Sequence, residues 1–265
     1  MSKLNLDKYY TEDSVVLKCL NIAAKTLFSE IISEAIEPSA GNGAFSNKIK
    51  NCIAYDIEPE HEDIIQQDFL ELDLDYKKGR LIIGNPPFGK SNSLSVKFFK
   101  KSIQIADYIA FILPISQLNN TLQMYEFDLI SSTDLGEEIY TDRKLHCCFN
   151  IYKRPISGLL NDKPDYKLKD VTIKEFRRGG TYIIQSEADL SICNWGNGSL
   201  GKVPSFVGEY AQEAYIYVHN KKYLEQIRRL FDFETIRKYV SSISMKRISV
   251  ARLYKYIKDN IPEIE

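Results

Sequence analysis

The chain has 265 residues, which is long enough for one large α/β domain or for such a domain with a smaller appendage. Its composition, 44% apolar and 27% charged, is ordinary for a soluble globular protein. No apolar run approaches the ~18 residues of a membrane span, and the polar start lacks a signal-peptide core, so we expect a cytoplasmic protein without a membrane partner. Five cysteines, an odd number without metal-ligand spacing, indicate reduced thiols and exclude a disulfide framework.

The net charge of −1 is divided unevenly along the chain. Residues 1–150 carry 15 basic and 22 acidic side chains, a balance of −7, whereas residues 151–265 carry 20 basic and 14 acidic side chains, a balance of +6. An acidic front half and a basic back half indicate two tasks, with a polyanion-facing surface in the carboxyl-terminal part. The alternative is an ordinary drift of surface charge.

The first predicted elements are a helix and a strand. Thr11 is a good N-cap and acidic residues follow it, so we predict a helix over about 12–28. The apolar run from Ile31 to Ile36 predicts a short buried strand. A turn containing glycines follows, from Glu37 to Phe45, and then a helical pattern through Ile49. A strand, such a turn and a helix start form a cradle in which backbone N–H groups can approach a ligand closely.

Two further strands are predicted to lead into acidic residues. The strand 52–56 ends on Asp56, where a nucleoside-binding unit places the acceptor for its ribose hydroxyls. The strand around 63–66 is followed by Asp68, which can accept an adenine amino group, and by Phe69, which can flank the ring. Because open parallel sheets bind ligands at the carboxyl ends of their strands, we expect these side chains to meet at one edge.

A fourth strand, 81–84, stops at the turn Asn85-Pro86-Pro87-Phe88. Consecutive prolines lack N–H groups and push the residue before each of them away from helical geometry, so the turn is rigid. The Asn85 side chain and the Pro86 carbonyl offer two acceptors to one NH2 group, which aims the nitrogen lone pair outward. Phe88 would then stack on the nucleobase that carries the amine. The alternative is a turn that merely ends a strand.

Five motifs therefore follow one another in a fixed order: Lys8-Tyr9-Tyr10-Thr11, Glu37-Pro38-Ser39-Ala40-Gly41-Asn42-Gly43, Asp56, Asp68-Phe69 and Asn85-Pro86-Pro87-Phe88. Over roughly residues 6–154 the chain thereby resembles the S-adenosylmethionine-dependent amino-methyltransferases, most closely the N6-adenine DNA methyltransferases whose target-recognition region comes last. The resemblance implies a class I methyltransferase (Rossmann-like) fold: a mostly parallel seven-stranded sheet with helices on both faces, and a small carboxyl-terminal α+β recognition region. The implied domains are a catalytic, donor-binding domain over 1–154 and a target-recognition region over 155–265.

The resemblance also implies a role for each motif. The methionine part of the donor is held by the Tyr-Thr segment and the glycine-containing turn: Tyr10, Thr11, Glu37, Pro38, Ser39, Ala40 and Gly41. Asp56 binds ribose, and Asp68 with Phe69 holds the adenine of the donor. Asn85 belongs to both the donor site and the catalytic turn, which receives an adenine flipped from double-stranded DNA. The turn lacks the three-glycine spacing of dinucleotide enzymes, which counts against a nicotinamide cofactor.

Beyond the catalytic turn we predict a helix from about 91 to 103, a strand at 108–113, a polar helical stretch near 117–131 and a strand at about 145–152. The last strand resembles the late sheet strand of the family, in which an aromatic side chain reaches the base pocket. Phe149 is the candidate for that position. The alternative is that Phe149 packs in the core, as aromatic residues in sheets commonly do.

Polar residues dominate from 153 to 170, which predicts a linker out of the catalytic domain. After it, strands are predicted at 171–176, 182–185 and 214–218, with Gly- and Asn-rich loops between them, and helices from about 220.

Two of these loops hold side chains suited to base edges: Arg177 and Arg178 in 176–181, and Asn194 and Trp195 in 194–199. The alternative is that Trp195 fills the core of the small domain and the loops are connectors. Phosphate contacts or plain solvation are assigned to cations of the helical tail: Lys246, Arg247, Arg252 and Lys255.

We therefore expect transfer of a methyl group from S-adenosylmethionine to N6 of adenine in DNA, in host modification with or without a restriction endonuclease partner. The three histidines lack acidic or Cys partners at ligand spacing, so no metal is expected, and no Pro-Cys turn is present for a covalent cytosine-C5 mechanism. The same NH2 chemistry leaves an RNA adenine, N4 of cytosine and a protein glutamine open as substrates. A non-catalytic nucleic-acid-binding subunit of the same fold is a further alternative.

Overall fold

The structure, a computed structural model, describes residues 10–140, 143–178, 188–196, 198–243 and 245–265. The chain divides into two compact units, and the division falls between Lys163 and Pro164. This position lies inside the predicted linker, somewhat beyond the predicted domain limit at residue 154. The predicted strand at 182–185 lies outside the described residues, as do Lys8 and Tyr9 of the first motif.

The first unit contains a seven-stranded sheet. Its strands in chain order are β1 (Glu34–Glu37), β2 (Cys52–Asp56), β3 (Ile65–Gln66), β4 (Arg80–Gly84), β5 (Tyr108–Pro114), β6 (Asp128–Tyr140) and β7 (Arg143–Lys153). In space they are arranged β3-β2-β1-β4-β5-β7-β6. The pairs are parallel except that β7 runs antiparallel to both β5 and β6. This is the sheet of the class I methyltransferases, so the predicted fold class is confirmed.

Helices pack on both faces of this sheet, as predicted. The described part of the unit has two α-helices, α1 (Asp13–Thr26) and α2 (Ser93–Ile105). Because successive residues of a strand point to opposite faces, Ile82 of β4 packs with Phe99 of α2, whereas its neighbour Ile83 packs with Val16 of α1. Burial on both faces explains why β4 and β5 are continuous apolar runs.

Three local predictions are wrong. Thr11 is not the N-cap of α1, because Glu12 holds that position. The helical pattern through Ile49 gives only a short 3-10 helix, Ser46–Lys48, after the Gly- and Asn-containing turn. The stretch near 117–131 is not helical either: turns follow a 3-10 helix, and β6 begins at Asp128, since pairing with β7 outweighs local propensity.

The second unit has α+β structure. Its three-stranded antiparallel sheet has the order β8-β10-β9, formed by β8 (Val171–Arg177), β9 (Leu190–Cys193) and β10 (Gln212–Val218). Three helices follow, α3 (Leu224–Leu230), α4 (Phe233–Ser242) and α5 (Val250–Asn260). They share one core with Ala214, Ile216 and Val218 of the central strand. No helix in the described ranges combines the length and apolarity needed to cross a membrane.

Candidate active site

A cavity of about 290 Å³ lies at the carboxyl ends of β1, β2 and β4. Its wall contains every residue that was predicted for the donor site: Tyr10, Thr11, Glu37, Pro38, Ser39, Ala40, Gly41, Asp56, Asp68, Phe69 and Asn85. Pro87 of the catalytic turn also lines it. The parallel sheet brings these separated motifs together because the ends of its strands meet at one edge.

Glu37 ends β1 and is buried. Its carboxylate accepts hydrogen bonds from the backbone N–H groups of Phe45 at 3.2 Å and Ser46 at 2.7 Å, which fixes the end of the glycine-containing turn. Burial raises the pKa of the Glu37 carboxyl to about 7, although the hydrogen bonds from Ser46 and Phe45 oppose the shift. Glu37 is therefore an anchor of the turn as well as part of the cavity wall.

Asp56 ends β2 and fastens the same turn from the other side. Its Oδ2 accepts the N–H of Gly41 and its Oδ1 the N–H of Glu58, each at 2.8 Å. Gly41 has a φ of +56°, in the left-handed region that favours glycine. The N–H of Ala40 also donates to the Tyr55 carbonyl at 3.0 Å. The carboxylate is thus fixed at the wall, and the second lone pair of each oxygen is suited to a hydroxyl donor.

Asp68 and Phe69 follow β3. The Oδ1 of Asp68 accepts the N–H of Leu70 at 2.9 Å and so caps the 3-10 helix Phe69–Glu71. The Phe69 ring stacks on Phe98 of α2, with the centroids 5.4 Å apart and the planes 19° apart. Both rings line the cavity, so this wall offers aromatic carbon to a planar ligand beside the Asp68 carboxyl group.

Asn85 follows β4, and its side chain is oriented by a residue far away in the sequence. Its Nδ2 donates to the Thr11 hydroxyl at 3.1 Å. This bond determines which end of the amide is nitrogen. The Ser39 hydroxyl donates to the backbone carbonyl of Asn85 at 3.2 Å, which joins the catalytic turn to the donor turn.

Other hydrogen bonds hold the rest of the catalytic turn. The Pro87 carbonyl accepts from the Ser95 hydroxyl at 3.1 Å, and the Phe88 carbonyl accepts from the N–H of Leu94 at 3.1 Å. Both carbonyls follow Pro86 in the chain, and the Ser39 hydroxyl holds the carbonyl of Asn85, which precedes it. The turn is therefore rigid around the carbonyl that was predicted to accept the target amine.

Two aromatic candidates do not line the cavity. Phe149 is fully buried in the core on the α1 face of the sheet, which agrees with the alternative of a packing residue. Phe88 is partly buried and packs against the same core. The structure thus brings Asn85 and Pro87 to the cavity but separates Phe88 and Phe149 from it.

The two arginines predicted to read bases lie at the end of β8 in the second unit. Arg177 pairs with Glu175, with Nη2 2.7 Å from Oε2. The Nη2 of Arg178 donates to the backbone carbonyls of Gly208 at 3.0 Å and Glu209 at 2.9 Å. Arg178 therefore braces a neighbouring loop, whereas Arg177 remains half-exposed beside its acid.

The second predicted loop contains one buried and one exposed candidate. Asn194 is fully buried, and its Nδ2 donates to Glu175 at 2.8 Å and to the Ile248 carbonyl at 3.2 Å. This placement corrects its assignment as a base reader, because its amide nitrogen is used inside the unit. Trp195 is 48% exposed and so does not fill the core. Thr181 and Asn197 of these loops lie outside the described residues.

The cations of the helical tail differ in exposure. Arg252 is buried and donates to the Tyr239 hydroxyl at 3.0 Å, which corrects its assignment as a phosphate contact. Lys255 pairs with Asp259 at 2.7 Å, and Arg247 pairs with Glu175 at 2.9 Å. Lys246 is exposed.

Several residues of the cavity wall were not predicted from the sequence: Ala44, Ile57, Leu70, Leu94 and Phe98. The helical spacing of apolar residues in α2 predicts that Phe98 is buried, but it contains no signal that distinguishes a cavity wall from core. The link between Thr11 and Asn85 was likewise invisible, because Thr11 fits the pattern of a helix cap. Within the described ranges, no group of three or more His, Cys, Asp or Glu side chains could hold a metal ion.

No protein-family model matches the chain, and no curated protein matches its sequence. Solved structures do match. A Pyrococcus horikoshii protein assigned as an RNA methyltransferase is 15% identical, with a TM-score of 0.46 over 59% of this chain and 91% of its own. A protein of Listeria monocytogenes assigned as a class I S-adenosylmethionine-dependent methyltransferase is 12% identical, with a TM-score of 0.46 over 59% and 64%.

A third similar structure is magnesium protoporphyrin IX methyltransferase from Synechocystis with bound S-adenosylmethionine, which is 8% identical, with a TM-score of 0.37 over 53% and 79%. Similarity at this level carries no information about the substrate of this chain. The substrate has to be inferred from the residues of the chain itself.

Proposed function

We propose that the chain is an S-adenosylmethionine-dependent methyltransferase that methylates the exocyclic N6 of adenine in DNA. The observation that carries the proposal is the position of Asn85, in the wall of a cavity that also contains every residue predicted for the donor site. A methyl donor and an acceptor amine must come within reach of each other, and Asn85 belongs to both predicted sites.

The chemistry of the cavity suits a nucleoside-containing donor. Asp56 offers carboxylate oxygens to ribose hydroxyls, and Phe69 with Phe98 offers an apolar wall to a purine ring. No atom lies within 4 Å of the position that a Cβ on Gly41 would take, so the backbone there leaves room for a ligand. When bound, S-adenosylmethionine supplies a methyl group activated by its attachment to a positively charged sulfur.

The catalytic turn suits an amine that is a poor nucleophile. Asn85 Oδ1 and the Pro86 carbonyl oxygen each accept a hydrogen bond from one N–H group of the target amine. Together they turn the lone pair of the amine nitrogen out of conjugation with the ring. The hydrogen bond from Asn85 Nδ2 to the Thr11 hydroxyl supports this role, because it fixes which end of the amide is oxygen and how the amide is oriented. This orientation replaces a strong base.

Two sequence features support adenine in DNA as the target. Asn85 and Phe88 are the residues found in N6-adenine enzymes, whereas the related N4-cytosine enzymes often have Ser in place of the Asn and glutamine enzymes usually have Tyr in place of the Phe. The charge balance of +6 over residues 151–265 suits a polyanion. The adenine has to leave the duplex, because its amine is paired inside it. Host modification, with or without a restriction endonuclease partner, is the corresponding role.

The test is to express the full chain in a host that lacks adenine methylation and to read modified positions in its DNA by single-molecule sequencing. We expect N6-methyladenine at one short sequence, and none with the Asn85→Ala variant. Calorimetric titration with S-adenosylmethionine accompanies the sequencing, because a non-catalytic subunit would fail to bind the donor. If the chain is folded and binds the donor but the DNA of the host is unmodified, DNA is overturned as the substrate. Methylated ribosomal or transfer RNA in the same cells would then identify RNA as the substrate.

A further inference from the structure

The segment that joins the catalytic turn to α2 has an unusual backbone. Gly89, Ser91 and Asn92 have φ values of +67°, +53° and +65°, in the left-handed region. Glycine adopts this region freely, but a serine is strained there, and two non-glycine residues in succession are rare in it. Such strain persists only where the surrounding structure imposes it, and it collects beside functional sites. A segment held in this way has a more relaxed conformation available to it.

The side chain of Asn92 adds a second cost. Asn92 is only 6% exposed, and neither Oδ1 nor Nδ2 of its amide has a hydrogen-bond partner among the described residues. A buried amide without partners has lost the hydrogen bonds that water would supply, and native structures contain few such groups. The strained backbone and the unpaired amide belong to one residue, so a single change of conformation at Asn92 would relieve both.

The first turn of α2 offers that amide a partner. Asn92 occupies the N-cap position of α2, for which asparagine is one of the best residues, yet its side chain makes no capping hydrogen bond within the described ranges. A capping residue normally has an extended backbone, and its side-chain oxygen accepts the N–H of the second or third helical residue. Here these residues are Leu94 and Ser95. Rotation of Asn92 into the extended region would therefore pair its amide and cap the helix.

The N–H of Leu94 already has a role in the catalytic turn, because it donates to the Phe88 carbonyl at 3.1 Å. A capping Asn92 would compete with Phe88 for this donor, and the capped state would release the Phe88 backbone. The two bonds from serine hydroxyls to carbonyls earlier in the turn do not depend on this donor. The acceptors for the target amine would thus stay in place while Phe88 moves.

We propose that Asn92 is a positioning residue that controls where the Phe88 ring lies. In the present state the ring packs against the core on the α1 face and, within the described ranges, is not part of the cavity wall. When Asn92 takes the N–H of Leu94, the ring is released. Its chain neighbour Pro87 already lines the cavity, so a local rotation carries the ring to the target base. The inference rests on the proposed function, in which Phe88 stacks on an adenine, and the base favours the released state because only that state stacks on it.

The test places a single para-fluorophenylalanine at position 88 of the full chain and records fluorine NMR spectra. A solvent isotope shift in heavy water distinguishes an exposed ring from a buried one. We expect a major buried and a minor exposed resonance in the wild type. Asn92→Gly fits the left-handed backbone and has no capping side chain, so it should reduce the exposed population about tenfold. Asn92→Ser can cap and disfavours that backbone, so it should raise the exposed population about tenfold.

Two further variants complete the design. Asn92→Asp should favour the exposed resonance as Asn92→Ser does, because its charge is costly where it is buried and favourable at a helix N-terminus. Asn51→Gly is the matched control, because Asn51 also has a positive φ, +59°, but is exposed in the turn before β2. Its spectrum should equal that of the wild type. Identical spectra for the wild type, Asn92→Gly and Asn92→Ser would overturn the inference.

The methylation rate gives a readout that a merely structural role of Asn92 would not move. On the duplex sequence found methylated in the host, Asn92→Gly should slow the single-turnover rate about tenfold at unchanged donor affinity, and Asn92→Ser should keep at least the wild-type rate. Equal rates in the two variants would overturn the role of Asn92 in the reaction. Populations that shift as expected in a chain that methylates no DNA would overturn the proposed function and leave the competition between Asn92 and Phe88 standing.

Discussion

The two units place their candidate functional residues at sheet edges that are built in opposite ways. In the first unit the strands are parallel, so β1, β2 and β4 all end at the same edge and their connections diverge around a cavity. In the second unit the strands are antiparallel, so β8 and β9 end where β10 begins. The loops at that edge hold buried side chains such as Asn194 beside exposed ones such as Arg177 and Trp195.

The two edges would suit two kinds of contact with the proposed nucleic-acid substrate. Polar side chains at the cavity, such as the buried Glu37 and the partly buried Asn85, are held by backbone and side-chain hydrogen bonds, as chemistry on a single base would require. Exposed side chains at the other edge, such as Arg177 and Trp195, would suit contact with a long, charged surface. Charge divides in the same sense along the sequence, with −7 over residues 1–150 and +6 over residues 151–265.

The largest effect should come from a substitution in the cavity of the first unit. Asn85→Ala removes one preorganised acceptor, so we expect the single-turnover methylation rate to fall by about 10²–10³ while donor affinity stays within about threefold. Rapid-quench kinetics and calorimetry measure the two quantities. Asn21→Ala, on the exposed side of α1, is the matched control and should change neither. Near-normal turnover in Asn85→Ala would rule out a two-acceptor mechanism.

A second variant separates donor from target within the same edge. Asp56→Ala removes the carboxylate that holds Gly41 and that we propose binds the ribose of the donor, so donor affinity should fall by about 10- to 100-fold. Turnover at saturating donor should change much less. Calorimetry and a donor titration of the rate provide the measurements. Unchanged affinity with a collapsed rate would contradict the assignment.

The burial of Glu37 predicts a pH dependence. Burial raises the pKa of Glu37 from 4.5 to about 7, so between these values the folded chain holds a proton that the unfolded chain has released. The contribution of Glu37 to the free energy of unfolding therefore falls as the pH rises through this window. We expect the wild type to lose roughly 3 kcal/mol relative to Glu37→Gln between pH 4.5 and 8 in urea titrations.

Glu34, at the start of the same strand, provides a control of opposite sign. Burial raises the pKa of Glu34, but the hydrogen bonds and charges of Lys77 and Arg80 outweigh it and lower the pKa below 4.5. The contribution of Glu34 to the free energy of unfolding should therefore be lost as the pH falls. Parallel pH profiles for Glu37→Gln and the wild type would contradict the burial argument.

A smaller effect should follow from removing the hydrogen bond between Thr11 and Asn85, which the sequence did not reveal. Thr11→Val keeps the shape of the side chain but removes the acceptor for Asn85 Nδ2, so the catalytic amide loses its fixed orientation. A lost hydrogen bond of about 1 kcal/mol corresponds to roughly a fivefold slower single-turnover rate, with little change in thermal stability. An unaffected rate would mean that the catalytic turn alone orients Asn85.

The smallest effect should come from a substitution of an exposed cation in the second unit. Lys246→Ala removes one exposed cation, so binding should weaken about equally for all duplex sequences, and the slope of log affinity against log salt should fall by about 1. Arg178→Ala also removes the hydrogen bonds to the carbonyls of Gly208 and Glu209 and so loosens that loop. This variant should weaken binding to different duplex sequences by different amounts. A Lys246→Ala variant that weakens binding to one sequence only would indicate base contact.

Sequence patterns predicted those strands of the first unit whose ends carry candidate site residues. The strands before Asp56 and Asn85 are continuous apolar runs that end on polar side chains, and each ends within a residue of its predicted limit. β6 was missed because it is an edge strand with many polar residues, and the partner that makes it a strand lies beyond it in the chain.

Side-chain environments were harder to predict than strands. Asn194 and Arg252 have side chains typical of nucleic-acid contacts, yet both are buried because partners from other elements satisfy them: Glu175 for Asn194 and the Tyr239 hydroxyl for Arg252. Composition cannot reveal such partners: Glu175 meets Asn194 only because β8 and β9 both pair with β10, and Tyr239 meets Arg252 only when α4 packs against α5. Phe149, in the first unit, was buried by packing of its sheet with α1.

The glycine-containing turn is fastened by carboxylates from two different strands, and this governs how it opens. The N–H of Gly41 is held by Asp56 of β2, and the N–H groups of Phe45 and Ser46 by Glu37 of β1. Loop amides usually exchange with solvent through small local fluctuations. Because both carboxylates are buried, these three amides should exchange with solvent more slowly than the amides of exposed loops.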